Sequence, residues 1–329
     1  MPILEPRHDF AHPVEADTAW SESYYFNAYD PDSDSGLFTR IGVRPNEGTM
    51  DVGLSVWLPG GDLAEYRHVV ECHDVPEAPL EVGGVRYELL EPMRRWCLVA
   101  DVEATARPCG STGGEGHPVS LGLDVTFEAL GPAVGSDGGG GGSRQSGAAA
   151  STTGKGHLEQ AGRWSGALEV DGVPVPWTEA RGNRDRSWGP RRWGDPSMWR
   201  WFSINIGDDL HFGGIRLGTD AGDLHRGWVS DGGRVTSVRH WGVSTELAAD
   251  GITHRVVHLE VTDKADRLHR LTGRVLRVAD IGRPGGTVIN EGLTEWTHHG
   301  GDGTERVGHG VAEYLHQVDG AGRPRVPVG

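Results

Sequence analysis

The chain of 329 residues carries 31 Lys and Arg against 47 Asp and Glu, a formal net charge of −16; a field of that sign repels phosphate, which argues against a nucleic-acid or anionic-membrane surface. With 36% hydrophobic residues, 24% charged and 12 Trp, the composition is that of a folded chain, and the length suits two domains or one large β architecture. No apolar run approaches the roughly 18 residues of a membrane helix, and the start "MPILEPRHDF" lacks the basic and apolar regions of a secretory signal, so no membrane span and a cytoplasmic location are expected.

Along the chain, short alternating runs are broken by Gly, Asp and Pro: "MDVGLSVWL" from Met50, "RRWCLVADVEA" from Arg94, "SLGLDVTFEAL" from Ser120, "MWRWFSINI" from Met198, "HRVVHLEVT" from His254, "LTGRVLRVADI" from Leu271 and "GVAEYLHQV" from Gly310. Period two dominates, which predicts an all-β protein with strands of about five to nine residues. The 52 glycines supply turns and bulges. Gly207, Asp208 and Asp209 read as a hairpin turn. No repeat argues for a propeller or solenoid. The stretch 131–156, "GPAVGSDGGGGGSRQSGAAASTTGKG", has almost nothing to bury and reads as a flexible loop or linker. Neither it nor "GSTGGEG" at 110–116 has the residues or flanks of a phosphate loop.

Cys72, Cys97 and Cys109 form no C-x-x-C pair, and an odd number does not suggest a disulfide framework, so reduced thiols in or near strands are expected. The 16 histidines raise a metal hypothesis that spacing does not support. His254 and His258 would share a strand face but stand roughly 13 Å apart on it, too far for one ion. Their strand's other face, Val257, Leu259 and Val261, would be the core, leaving both histidines facing solvent or lining a space. His298 and His299 point to opposite faces. "HVVECHD" at 68–74 has no matching partner motif. No G-x-S-x-G elbow or dinucleotide fingerprint occurs, and neither a metal nor an organic cofactor is expected.

The richest stretch is "RGNRDRSWGPRRWGDPSMWRW", residues 181–201, with six arginines. Trp177, Trp188, Trp193, Trp199 and Trp201 fall in it or just before it. Strand alternation puts Trp199, Trp201, Ser203 and Asn205 on one face and Arg200, Phe202, Ile204 and Ile206 on the other. Two indoles on one face make a wall that can bind a flat apolar ligand or stabilise a developing cation. Asp185, between Arg184 and Arg186, could donate a proton beside such a cavity if burial raised its pKa, and adjacent guanidinium groups would oppose that if they reached it. The same residues also fit an Asp–Arg network pinning a turn with the indoles as core. Arg191 and Arg192 could orient a carboxylate or phosphate on a ligand, or neutralise acidic strands. Glu291, Glu295 and Glu313 with Tyr314 are further acid or base candidates, though Glu295 and Trp296, like Glu313 and Tyr314, point to opposite faces.

Three stretches together resemble a known family: "SESYYFNAYDP" at 21–31, "FTRIGVRPNEGTMDVGLSVWLPGG" at 38–61 and "RGNRDRSWGPRRW" at 181–193, with "NEGLTEWTHHGGDGTERVGHGVAEYLHQ" fitting the same pattern. They look like the largely uncharacterised bacterial branch of the AttH and hydroxyneurosporene synthase superfamily. The resemblance implies two lipocalin-like β-barrel or sandwich domains packed together, with an apolar cavity near their junction and chemistry on isoprenoid or polyketide-like molecules without an organic cofactor. It also implies that Asp185 matches the acid that protonates an alkene. The arginines around the motif depart from the carotenoid hydratases and suit a ligand with a polar head.

The expected organisation is therefore an N-terminal domain over residues 1–195, containing the 131–156 loop, and a C-terminal domain over 196–329. The expected activity is that of a cofactor-independent lyase or isomerase, a hydratase or cyclase, acting on an apolar alkene-containing metabolite such as a terpenoid, steroid or polyketide. Asp185, Glu295 and Tyr314 are its catalytic candidates. Trp188, Arg191, Arg192, Trp193, Trp199, Trp201, Asn205 and His211 are its binding candidates. Two other classes stay open: a carrier or sensor of apolar small molecules that does no chemistry, and a glycan-binding protein with a solvent-open groove.

Overall fold

The computed structural model describes residues 2–110, 116–138, 154–219, 222–283 and 286–328. The Gly-rich centre of the expected loop, 139–153, and most of the 110–116 stretch lie outside the described residues. The described residues contain no α-helix, only two short 3-10 turns at Pro6–Asp9 and Pro45–Glu47, and no helix is long and apolar enough to cross a membrane. The chain divides into two compact units, Pro2–Arg192 and Trp193–Gly329.

The first unit runs through β1 (Trp20–Asp30), β2 (Ser35–Arg44), β3 (Thr49–Trp57), β4 (Asp62–Glu71), β5 (Leu80–Val82), β6 (Val85–Glu91), β7 (Arg95–Pro108), β8 (His117–Ala129), β9 (Val134–Ser136), β10 (Gly156–Val170), β11 (Val173–Trp177) and β12 (Arg181–Pro190). All twelve belong to one sheet. Its antiparallel pairings return to their start through β1, β2, β3, β4, β7, β8, β10 and β12, so eight strands form a closed ring. The ring closes because β10 is long: Gly156–Arg163 pairs with β12, while Gly162–Val170 pairs with β8. Inside, Phe26 meets the rings of Tyr87, Trp96, Phe127 and Trp164 at centroid separations of 5.2 to 6.3 Å. These are the edge-on and tilted contacts that aromatic quadrupoles favour.

Alternation along β12 sends Arg184 and Arg186 to this inward face. Arg184 Nε donates to Gln160 Oε1 at 2.6 Å, and its Nη1 pairs with Asp9. Arg186 Nη2 reaches Glu22 Oε2 at 2.9 Å and the Tyr24 hydroxyl at 2.7 Å, while its guanidinium also binds the carbonyls of His8 and Phe10. The 3-10 turn at Pro6–Asp9 is thereby tied to the inner side of β12.

The second unit is a closed barrel in chain order: β13 (Met198–Ile206), β14 (Leu210–Thr219), β15 (Gly222–Asp231), β16 (Arg234–Leu247), β17 (His254–Asp263), β18 (Leu268–Arg283), β19 (Thr287–His299) and β20 (Glu305–Gln317). Each strand pairs with the next, and β20 returns to β13. Such an up-and-down closure removes sheet edges. The all-β, lipocalin-like fold expected from the sequence is the fold observed.

The expected hairpin joins β13 to β14 across Gly207–Asp209, and Phe202, Ile204 and Ile206 face the core with Trp241, Trp296 and Tyr314. One expectation is overturned. His254 does not share a face with His258: it is fully buried, whereas His258 is half-exposed and lies 3.6 Å from Glu246. The cause is a bulge. Glu246 pairs with Val256 but Leu247 pairs with His254, so Arg255 is an extra residue on β17 and the alternation reverses before it. The cysteines are all free thiols.

Candidate functional site

Asp185 lies on the face of β12 opposite Arg184 and Arg186, so neither guanidinium approaches it along the strand. Its partner is on β10, whose register sets Glu159 beside Asp185 and His157 beside Ser187. On that shared face His157 Nε2 hydrogen-bonds Asp185 Oδ2, and Glu159 Oε1 is 3.8 Å from the same nitrogen. The ligand atoms of His157, Glu159 and Asp185 all lie within 4.8 Å of one another. Glu159 is buried, while the side chains of His157 and Asp185 keep 27% and 16% of their exposure, so the pair is reachable. The imidazole's other nitrogen, Nδ1, makes no hydrogen bond among the described residues.

Burial alone would lower the His157 pKa. The charge and hydrogen bond of Asp185, then the charge of Glu159, outweigh burial and the opposing Arg191, and raise it above its ordinary value. His157 is thus biased toward the imidazolium, held at Nε2 by one carboxylate with a second beside it. A raised folded-state pKa stabilises the fold fully below the unfolded value of about 6.5, and that contribution is lost as pH rises through the folded value. We expect wild type to lose stability relative to His157→Gln as pH climbs above about 6.5 in urea titrations. Parallel curves for the two proteins across that range would remove the coupling. One imidazole and two carboxylates are also a donor set that suits a divalent cation.

The other residues singled out in the sequence are distributed as follows. Trp188 faces away from Asp185, packing with Leu4, Ala133 and Leu158 and stacking on His12 at 3.8 Å. Arg191 Nη1 donates to Ser187 Oγ at 3.0 Å, which keeps it beside the His157 face. Arg192 Nη2 donates to both carboxylate oxygens of Asp17, at 2.7 and 2.9 Å. In the second unit, Trp199 lies 5.6 Å from Trp193, and its indole N–H donates to Glu313. Trp201 follows on the same face of β13. Asn205 Oδ1 meets His211 Nδ1 at 2.9 Å, and the other imidazole nitrogen lies 3.2 Å from the Asp208 carbonyl, a lock on the hairpin. Glu295 pairs with Arg274 at 2.8 Å and lies 3.9 Å from His309. Tyr314 points into the barrel, its hydroxyl 2.7 Å from Thr245 Oγ1. The sequence reading named Asp185 but missed His157 and Glu159. Their i, i+2 spacing just after the Gly-rich stretch is the only local signal, because what pairs them with Asp185 is strand register.

Residues 5–318 match the model of a family described as a domain of unknown function, DUF7064, and the chain belongs to that family. No curated protein matches the sequence. Among solved structures, an AttH-like protein from Nitrosomonas europaea is 15% identical with a TM-score of 0.61, covering 96% of this chain and 98% of its own. Kievitone hydratase from Nectria haematococca is 12% identical with a TM-score of 0.59, covering 95% and 93%. Both belong to the AttH and lipocalin-like group that the sequence resembles, and at these identities the likeness is one of fold.

Proposed function

We propose that the protein is a cofactor-independent lyase or isomerase of the hydratase type, which protonates an apolar alkene-containing metabolite through the His157–Asp185 pair. The observation that carries this reading is the imidazole with one nitrogen fixed by a carboxylate, the other unbonded, and a raised pKa. This is how a general acid is kept charged near neutral pH and aimed at a substrate. In the proposed step, His157 Nδ1–H gives its proton to one alkene carbon. Asp185 holds the ring and stabilises the charge on it. Water then adds to the cationic carbon, and its surplus proton returns to the vacated Nδ1 of His157, closing the cycle as a hydration. Loss of a neighbouring proton instead of water addition would give an isomer. Arg191, next to Ser187, is placed to orient a polar end of the substrate. The hydratase named among the structural neighbours makes this class of reaction a reasonable first assay.

The test is to incubate the protein with terpenoid, steroid and polyene substrates in the presence of EDTA and look for products heavier by one water or isobaric with the substrate. Ligands that bind and return unchanged would overturn the reading in favour of a carrier. Turnover that appears only on adding zinc or manganese would sink the metal-independent mechanism and make His157, Glu159 and Asp185 ligands.

A further inference from the structure

The second unit buries a polar cluster that the His157 group does not use. Arg200, on the inward face of β13, is 2% exposed and stacks over the ring of Tyr314, its direct neighbour on β20, at 4.3 Å. Its hydrogen bonds among the described residues run from Nη1 alone, to the carbonyls of Trp199 at 2.7 Å and Leu315 at 3.2 Å. Among the described residues no carboxylate pairs with it: Asp223, whose charge reaches it, is held by Arg216 at 2.7 Å. Two residues along β20, His316 is 1% exposed, and neither of its ring nitrogens has a partner among the described residues. His254 stacks on Tyr314 at 4.2 Å. Its Nε2 donates to the Ala312 carbonyl at 2.9 Å, which leaves Nδ1 without a partner. The ring is admitted by Gly292, where a Cβ would come within 2.2 Å of Nε2.

Buried polar groups are ordinarily satisfied, and a buried guanidinium without an acid is less favourable than an apolar side chain of the same size. Burial, then the charge of Arg200, lowers the His316 pKa to about 3. Burial likewise takes His254 to about 4 against the opposing hydrogen bond to Ala312. Both imidazoles are therefore neutral at pH 7, and Arg200 supplies the charge of the cluster. The wall beyond it, with Phe202, Trp241 and Trp296, is apolar.

We propose that this end of the second barrel binds an apolar organic acid, whose carboxylate accepts from the unused N–H groups of Arg200 and from a ring N–H of His316. The neutral His254 Nδ1 offers an acceptor to a hydroxyl carried by the same ligand. The polar side chains of the cluster come from β13, β17 and β20, and it does not depend on the proton-transfer reading of His157.

The probes are straight-chain carboxylates from hexanoate to hexadecanoate and their matched primary amides, titrated against tryptophan fluorescence at pH 7. The expected result is a carboxylate that binds at least about tenfold more tightly than its amide, because the charged hydrogen bond is lost in the amide. Arg200→Gln should abolish that preference, and His316→Phe should weaken carboxylate binding about threefold or more. Ligand-free Arg200→Gln should be at least as heat-stable as wild type, since the unpaired charge is gone. Three outcomes would overturn the proposal: no carboxylate in the series binding below about 1 mM, amides binding as tightly as acids, or a ligand-free Arg200→Gln protein that melts well below wild type, which would make the guanidinium structural.

Discussion

Replacing Asp185 by Asn is expected to lower turnover on an alkene substrate by about 10²- to 10⁴-fold, the range for losing a positioned acid–base group, with substrate affinity changed no more than a few fold. The amide is nearly isosteric, so the strand pairing that sets Glu159 beside this position should persist. What disappears is the negative charge that raises the His157 pKa; the amide oxygen can still accept from Nε2 but carries no charge to hold the imidazolium. His157 then falls back toward a neutral ring at pH 7 and no longer supplies a proton from Nδ1. The acidic side of the rate profile identifies the cause: the variant should recover part of its activity as pH is lowered, whereas wild type keeps its activity to higher pH. A variant with unchanged kcat would remove Asp185 from the mechanism.

Arg186→Met is expected to destabilise the first unit by about 3–5 kcal/mol, the usual penalty for breaking a buried ion pair from one side. Glu22 is fully buried and pairs with this guanidinium at 2.9 Å. Its other contacts are the His12 backbone N–H at 3.0 Å and the His12 ring at 3.1 Å, so removing Arg186 takes away the guanidinium that pairs with this buried carboxylate. The His8 and Phe10 carbonyls and the Tyr24 hydroxyl lose their donor in the same step. The double variant Glu22→Gln, Arg186→Met should recover part of the loss, because no unpaired charge remains. Urea denaturation of the single variant within about 1 kcal/mol of wild type would show that this network contributes little.

These two expectations concern adjacent residues in "NRDRSW", and the strand's alternation is what separates them. That alternation was legible in the sequence: it places Asp185 on one face and Arg184, Arg186 and Trp188 on the other. The resemblance of the motif to a family pattern nevertheless invites grouping Asp185 with Trp188, and the fold does not bring them together. The partner of Asp185 was not legible. His157 comes from β10, 28 residues earlier and beyond the Gly-rich stretch, and a one-residue slip in the pairing of β10 with β12 would turn it to the other face.

In the second unit the split between Arg200 and its neighbouring indoles followed from alternation, as did the inward Trp296 and outward Glu295. His254 did not, because a single-residue bulge at Arg255 reverses the face and leaves no mark in composition. Fold class was thus readable from period two and turn residues, whereas the two polar clusters depend on register and on one irregularity.

The proton-transfer account is tested most directly by running the reaction in D₂O and measuring deuterium at carbon in the product by mass spectrometry, with wild type and Asp185→Asn side by side. The account predicts one deuterium per turnover on carbon with wild type and little product with the variant. Product formed without carbon-bound deuterium, or formed equally well by both proteins, would contradict it.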